Sequence, residues 1–190
     1  MKVLGDFSQR VTKVLGGLAD IKSDDLKEAL LALEATPEDL KPHLETAQGK
    51  PYYRTLLYQD EQVELLVMNW SQLECAPHDH GESYGWVQVV DGASLHTVYE
   101  VKDNKLPEEL FEERQEKGNL FFAPKKGVHK MKDAGGTGLM TLHLYAPPIS
   151  GMIVYDLNVC AACIVSDDCG AWWPEETRQK VKEIKLERSK

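Results

Sequence analysis

The sequence predicts a mainly β protein, a small barrel or sandwich of short strands that follows a helical N-terminal segment. Apolar residues recur at helical spacing over the first 48 residues. Short runs rich in β-branched and aromatic residues then follow one another up to about Val165, with turn-forming residues between them. With 190 residues, of which 42% are hydrophobic, the chain is long enough for one domain with one sizeable core.

The N-terminal segment, residues 1–48, is predicted to be helical and to pack on the strands. Gly16 ends the first helix, Ser23 is expected to cap the second, and Thr36 followed by Pro37 begins another. The apolar residues that predict the first helix are Val3, Phe7, Val11, Val14, Leu15 and Leu18.

A barrel is predicted over residues 49–168, followed by a C-terminal extension, 169–190. The charged stretch Glu175–Arg188 is expected to be a surface helix. Seven runs are predicted as strands: Tyr52–Tyr58, Val63–Trp70, Gly85–Val90, Ser94–Val101, Leu120–Ala123, Gly138–Tyr145 and Met152–Leu157.

Charge and composition exclude several classes of protein. The chain carries 31 acidic and 22 basic side chains, a formal charge of −9, which argues against nucleic acid or an anionic membrane as partner. It shows neither a signal-peptide pattern nor a run of about 20 apolar residues. Four cysteines are too few for a disulfide scaffold. We therefore expect a cytoplasmic protein with reduced thiols, and we expect a monomer.

The histidines carry the functional signal. His78 and His80 flank Asp79, and in an extended chain both imidazoles would point to the same side, close enough to bind one ion; a polar loop is the alternative. The spacing of Gly118, Pro124 and His129 resembles the second motif of cupin proteins. The carboxylate usual in the first cupin motif is missing, so the resemblance predicts a metal site of three histidines.

Three neutral imidazoles leave a divalent ion its full double charge, which suits an anionic thiolate and then dioxygen at open positions. They suit catalytic zinc equally well. Farther along the chain, Thr141, His143 and Tyr145 alternate with leucines and share one face of a predicted strand. They could orient the phenol of Tyr145 as a hydrogen-bond donor or acid. Alternatively, they form an interior polar cluster whose members only hydrogen-bond to one another.

Taken together, four segments resemble the thiol dioxygenases of the cupin superfamily, most closely the cysteine dioxygenases. The resemblance implies a cupin barrel, a double-stranded β-helix of jelly-roll type. The segments occur in the family's order: Tyr52–Arg54, Pro77–His80, Gly127–His129 and Thr141–Pro148.

The resemblance also implies a role for each matching residue. His78, His80 and His129 would hold one Fe(II) per chain. Arg54 would pair with the substrate carboxylate, helped by Tyr52. His143 would position Tyr145 near substrate and oxygen, with Thr141 behind His143, and Ala146-Pro147 would be a cis peptide.

The activity implied is the addition of both atoms of O2 to the sulfur of L-cysteine, which gives cysteine sulfinate, a step of cysteine catabolism toward taurine. Relatives that prefer 3-mercaptopropionate usually carry Gln where this chain has Arg54, so Arg54 favours cysteine. Another small thiol acid stays an alternative, as do a non-catalytic metal-binding cupin module and a zinc or manganese isomerase or hydrolase.

The remaining features are given lesser roles. Gly85 stands where animal cysteine dioxygenases carry the cysteine of a thioether crosslink to tyrosine, so that crosslink cannot form here, and Met152 stands where they carry a cysteine near the substrate. The Trp172-Trp173-Pro174 stretch is expected to be a packed anchor. Cys160, Cys163 and Cys169 are interpreted as buried or incidental thiols rather than a zinc site. His43 and His96 are expected at the surface.

Overall fold

A computed structural model of the chain describes residues 6–172, 176 and 178–188. Val3, Trp173, Pro174 and Glu175, which the sequence analysis singled out, lie outside the described residues. The helices are α1 Phe7–Leu15, α2 Ser23–Ala32 and α3 Pro37–Leu40, with a 3-10 turn at Lys41–His43. The strands are β1 Tyr52–Gln59, β2 Glu64–Trp70, β3 Tyr84–Asp91, β4 Ala93–Glu100, β5 Glu108–Glu116, β6 Leu120–Ala123, β7 Val128–Asp133, β8 Met140–Ala146, β9 Ile153–Asp156, β10 Ala161–Val165 and β11 Lys180–Lys185.

The strands form two walls around one interior, which confirms the mainly β prediction. One wall is an antiparallel sheet in the order β1-β2-β8-β3-β6. The other combines two three-stranded groups, β5-β4-β7 and β11-β10-β9. The segment 75–79 joins these groups, because His78 exchanges backbone hydrogen bonds with His129 on one side and Asp79 bonds to Ile153 on the other.

Successive side chains of β2 and β8 point alternately into two separate hydrophobic cores. Leu66 and Met68 face the barrel interior, whereas Leu65 and Val67 belong to an outer cluster with the apolar faces of α1 and α2. In β8, Leu142 and Leu144 likewise face the helices. Because strand side chains alternate, the residues between these leucines must face the interior. The helices thus cover the outer face of the five-stranded sheet.

The predicted start of the second helix is wrong by one residue. Ser23 is the first helical residue, and Lys22 occupies the cap position, where its N–H donates to Asp25 Oδ2 at 2.7 Å. The hydroxyl and carbonyl oxygens of Ser23 instead accept the indole N–H of Trp86, at 3.1 and 3.0 Å. A tertiary contact has therefore replaced the local capping bond. The predicted start at Thr36 and Pro37 is confirmed.

The predicted C-terminal helix is also wrong. Within Glu175–Arg188 the described residues include strand β11, which pairs with β10 so that Ile184 lies opposite Ala162. Strand β5 was not predicted either, since nearly all of its side chains are charged or exposed. Both lie at the ends of their strand groups, where a partner on one side holds the backbone and the side chains remain in water.

The carboxyl of Asp39 links α3 to α1. Burial alone would raise the pKa of this carboxyl, but hydrogen bonds from Thr36 and the Arg10 guanidinium at 2.7 Å hold the pKa below its ordinary value of 3.8. A lowered pKa in the folded state stabilises the fold above the unfolded pKa, and this stabilisation is lost as the pH falls through the folded pKa.

We therefore expect Asp39→Asn to lower the free energy of unfolding by about 1 kcal/mol at pH 7, with a difference that shrinks toward pH 2. Urea unfolding at both pH values measures this effect. Glu38→Gln, in the same helical turn but exposed, should change stability by less than about 0.5 kcal/mol. A loss of equal size at both pH values would contradict the electrostatic explanation.

Candidate metal centre

Three histidines from two separate segments meet inside the barrel. His78 lies in the segment 75–79 that joins the two strand groups, His80 follows this segment directly, and His129 lies on β7 beside it. Their ligand atoms all lie within 4.8 Å of one another, and the Nε2 atoms of His80 and His129 are 3.3 Å apart. Two nitrogens that are each about 2.1 Å from one ion in a tetrahedral arrangement are about 3.4 Å apart. The spacing therefore fits a common ion.

The protonation of these histidines also fits a metal. Burial lowers the pKa of His78 to about 4 and lowers the pKa values of His80 and His129 well below the ordinary value. All three imidazoles are thus neutral at neutral pH, as metal ligands must be. The Nδ1–H of His78 donates to the Ala76 carbonyl at 2.9 Å, which leaves its Nε2 lone pair for an ion.

His96 was expected at the surface, and this prediction is wrong. Its side chain is only 4% exposed, and its Nε2 lies 2.9 Å from Nδ1 of His129. The ring stacks on Phe121 with 4.1 Å between the centroids. The available signal was its place within the predicted strand Ser94–Val101, where alternate residues face inward. The other histidine placed at the surface, His43, is partly exposed.

A chain of hydrogen bonds runs from Trp70 to the three-histidine cluster. The indole N–H of Trp70 donates to Thr141 Oγ1 at 2.9 Å, and Thr141 Oγ1 lies 2.7 Å from His143 Nε2. His143 Nδ1 is 3.0 Å from the Tyr145 hydroxyl, which in turn is 3.3 Å from His80 Nε2. The alternation in β8 that faces these residues inward was visible in the sequence, whereas the part played by Trp70 was missed.

This chain of bonds has a direction. An indole can only donate, so the Thr141 oxygen accepts from Trp70, and its own proton is available to His143 Nε2 when the His143 ring is protonated on Nδ1. Burial lowers the pKa of His143 to about 3, so the ring is neutral, and in this tautomer its Nδ1–H donates to the Tyr145 hydroxyl. Burial raises the pKa of the Tyr145 phenol well above 10.0. Tyr145 therefore keeps its proton and can donate it into the site.

A loop over residues 166–172, called here the mouth loop, covers the entrance. The Arg54 guanidinium donates to the backbone carbonyl of Asp167, and the Tyr52 hydroxyl accepts the N–H of Ala171 at 2.7 Å. The Tyr52 ring lies between Trp70 and Trp172, with centroids 4.8 and 4.9 Å away. The mouth loop is thus fastened by two of the residues predicted to bind substrate.

Arg54 lies between two spaces. It lines an outer cleft of about 370 Å³ and also the inner cavity of about 10 Å³ at the histidines. The inner cavity has room for about one water molecule. A substrate larger than water therefore needs residues that line the inner cavity, among them Arg54, Ile149 and Met152, to move.

Gly85 leaves room for the Tyr145 ring because it has no side chain. In the pairing of β3 with β8, Gly85 lies opposite Tyr145. A Cβ at Gly85 would overlap the Leu144 carbonyl oxygen and lie 2.5 Å from Cδ1 of Tyr145. The absence of a side chain here lets the phenol ring lie directly against the backbone of β3.

The cysteines do not join the cluster. Among residues 6–172, 176 and 178–188, His78, His80 and His129 are the one group placed to hold a metal ion. All four cysteines are free thiols. Burial raises the pKa of Cys75 to about 12, so the thiol nearest to His78 is un-ionised at neutral pH.

Three buried histidines inside a barrel of antiparallel sheets define a metal-binding protein of the cupin class. The family model described as cysteine dioxygenase type I matches residues 18–158 of the chain. This match covers most of the chain, and the chain belongs to that family. Membership supports an oxidoreductase of the dioxygenase type. The cis peptide at Ala146-Pro147 is present, as the resemblance implied.

Two relatives bear names that agree with this assignment, and a solved structure agrees with the fold. The proteins named cysteine dioxygenase type 1 from Rattus norvegicus and Mus musculus are each 22% identical over 161 residues, which cover 82% of this chain and 80% of theirs. The structure of an oxalate oxidase in complex with the substrate analogue glycolate matches with a TM-score of 0.52 at 16% identity over 63% of each chain. This structural likeness concerns the fold alone.

No helix in the described part of the chain is long and apolar enough to cross a membrane.

Proposed function

We propose that the chain is a thiol dioxygenase that transfers both atoms of O2 to the sulfur of L-cysteine, which yields cysteine sulfinate, at Fe(II) held by His78, His80 and His129. The observation that carries the proposal is the Tyr145 hydroxyl, which keeps its proton and stands 3.3 Å from His80 Nε2. A metal that only stabilised the barrel would need no phenol aimed at its ligands. The family match supports the same activity.

The surrounding residues prepare the site for a thiol and dioxygen. Ferrous iron, when bound, supplies one centre at which thiolate sulfur and dioxygen are held side by side. The neutral histidines contribute no negative charge, so the site favours an anionic substrate. Tyr145 donates a hydrogen bond to the oxygen or to the substrate head group. Trp70, Thr141 and His143 hold that phenol in its donor orientation.

Arg54 selects a substrate that carries a carboxylate. The planar guanidinium can make two parallel hydrogen bonds to a carboxylate, a geometry that an ammonium cannot offer. Its present partner, the Asp167 carbonyl, is neutral. A substrate carboxylate would replace a neutral acceptor by a charged one, which strengthens the bond and releases the mouth loop. The proposed substrate is therefore a small thiol acid, such as cysteine, rather than a simple aminothiol.

The deciding experiment loads the protein with Fe(II) under anaerobic conditions and follows oxygen uptake and sulfinate formation. L-cysteine, 3-mercaptopropionate and cysteamine are compared at equal concentrations. We expect cysteine to dominate, with one O2 consumed per sulfinate formed. Turnover dominated by 3-mercaptopropionate would support the proposed dioxygenase activity but contradict cysteine as its substrate. Bound iron without turnover of any thiol would favour a non-catalytic metal-binding module.

Replacing Tyr145 by Phe removes the donor and keeps the ring. We expect kcat for cysteine to fall by about 100-fold, the usual effect of losing one positioned donor to a reacting oxygen, with iron content unchanged. Tyr155→Phe is the matched control, since Tyr155 is also buried but belongs to a separate cluster. Initial rates of oxygen uptake measure both variants. A kcat within twofold of the parent enzyme would remove Tyr145 from the reaction.

A further inference from the structure

The three histidines of the cluster are held from behind in different ways. The Nδ1 of His78 is bonded to a backbone carbonyl, and the Nδ1 of His80 is buried without a hydrogen-bond partner among the described residues. The Nδ1 of His129 lies 2.9 Å from Nε2 of His96, whereas behind His78 the Cys75 Sγ lies 3.9 Å from Nδ1. His129 is therefore the member of the cluster that has a side-chain nitrogen at ordinary hydrogen-bond distance behind it.

The hydrogen bond between these two rings can have only one direction if His129 offers Nε2 to an ion. The Nε2 of His129 faces His80 across the cluster, so the proton of the neutral ring must lie on Nδ1. That N–H donates to Nε2 of His96, whose own proton then lies on its Nδ1. The Nδ1 of His96 faces Oε1 of Glu113 at 3.7 Å.

Strand pairing and side-chain packing hold His96 behind His129 and Glu113 beside His96. The two residues lie directly opposite each other where β4 pairs with β5. Gln115 donates to Glu113 Oε1 at 2.6 Å, and the His96 ring is stacked on Phe121. A carboxylate at the protein surface thus lies 3.7 Å from Nδ1 of His96, beyond hydrogen-bond distance, and this Nδ1 has no hydrogen-bond partner among the described residues. A carboxylate or other acceptor behind a ligating histidine fixes its tautomer and makes it a better ligand.

We propose that His96, with Glu113 beside it, is a positioning residue of the metal site: it holds His129 with the proton on Nδ1 and so increases the affinity for the metal. This inference rests on the proposed binding of a metal by His78, His80 and His129. It assigns a role to two residues that contact neither the ion nor the substrate. It also explains why a histidine is buried at a position where the strand pattern alone would suit any apolar residue.

The test measures the dissociation constants for Fe(II), under anaerobic conditions, and for Co(II), by competition with a chromophoric chelator, using the full-length chain. We expect His96→Phe, which keeps a ring against Phe121 but removes the acceptor, to weaken both by about 10- to 100-fold. His96→Gln, which offers an amide oxygen to the Nδ1–H of His129, should recover most of the affinity. Glu113→Gln should weaken binding by less than His96→Phe.

Two outcomes would overturn the inference. One is a metal affinity of His96→Phe within twofold of that of the parent protein. The other is an equal loss of affinity in His96→Gln and His96→Phe, because the loss would then come from altered packing and not from the missing acceptor. Urea unfolding of the metal-free variants checks that they fold. Should His96→Phe fail to fold, His96→Leu, which also removes the acceptor, takes its place in both comparisons. Failure of the parent protein to bind either metal would instead overturn the proposed function, and this inference with it.

Discussion

Replacing His80 by Ala is expected to lower the affinity for Fe(II) by at least about 100-fold and to abolish turnover of thiols. Apparent binding free energies of about 10–16 kcal/mol for structural zinc sites with four ligands correspond to about 2.5–4 kcal/mol for each ligand. Each 1.4 kcal/mol is about tenfold in affinity. Because His80 also lies within 3.3 Å of the Tyr145 hydroxyl, its loss removes a ligand and a neighbour of the donor together.

Metal content after anaerobic loading and the dissociation constant for Fe(II) measure this effect. His43→Ala is the matched control, because His43 lies in the N-terminal segment, is partly exposed and contacts Phe7 rather than the cluster. It should bind Fe(II) like the parent protein. Unchanged iron affinity in a folded His80→Ala protein would show that the metal is held elsewhere.

Arg54→Ala is expected to give the second large effect, on kcat/KM for cysteine. Removing one partner of a buried charge pair costs about 2–5 kcal/mol, which corresponds to a loss of about 30- to 5,000-fold. Most of the loss should appear as a higher KM, because the guanidinium binds a carboxylate that takes no part in the reaction at sulfur. Arg54→Lys should recover only part of it, since an ammonium cannot form the two parallel bonds.

Two controls separate binding of the carboxylate from a general effect on the mouth loop. Cysteamine has no carboxylate, so its kcat/KM should change little in Arg54→Ala. Lys50→Ala removes another cation that lines the outer cleft, and its ammonium lies over the Trp172 ring at 4.5 Å. We expect cysteine turnover by this variant to stay near that of the parent enzyme. Equal losses with cysteine and cysteamine would assign Arg54 to holding the loop closed.

Much of the candidate site follows from local patterns in the sequence. The alternation that faces Thr141, His143 and Tyr145 inward is a property of a few adjacent residues, since a strand repeats every two positions. His78 and His80 share one side for the same reason. The helical segment before the barrel follows from spacing of three and four residues, and α1 and α2 cover the sheet as expected of amphipathic helices.

Other features depend on contacts that no local pattern contains. Trp70 acts through a residue 71 positions away, and His96 through one 33 positions away. Strand pairing sets the register that brings these residues together. The sequence around one partner therefore does not indicate which residue the other partner is. The segment that became β11 is charged and exposed, and such a pattern suits a helix or an edge strand equally.

The sequence by itself thus determined the class of fold, the family and the inward-facing residues, because these follow from periodicity and from short motifs. Only the tertiary structure decided how the site is supported. It placed Trp70 and His96 behind the reacting groups, fastened Arg54 to the mouth loop, and turned the C-terminal segment into a strand. The physical reason is that each of these contacts is made between segments distant in the chain. Their free energy is gained only once the two walls of the barrel have come together.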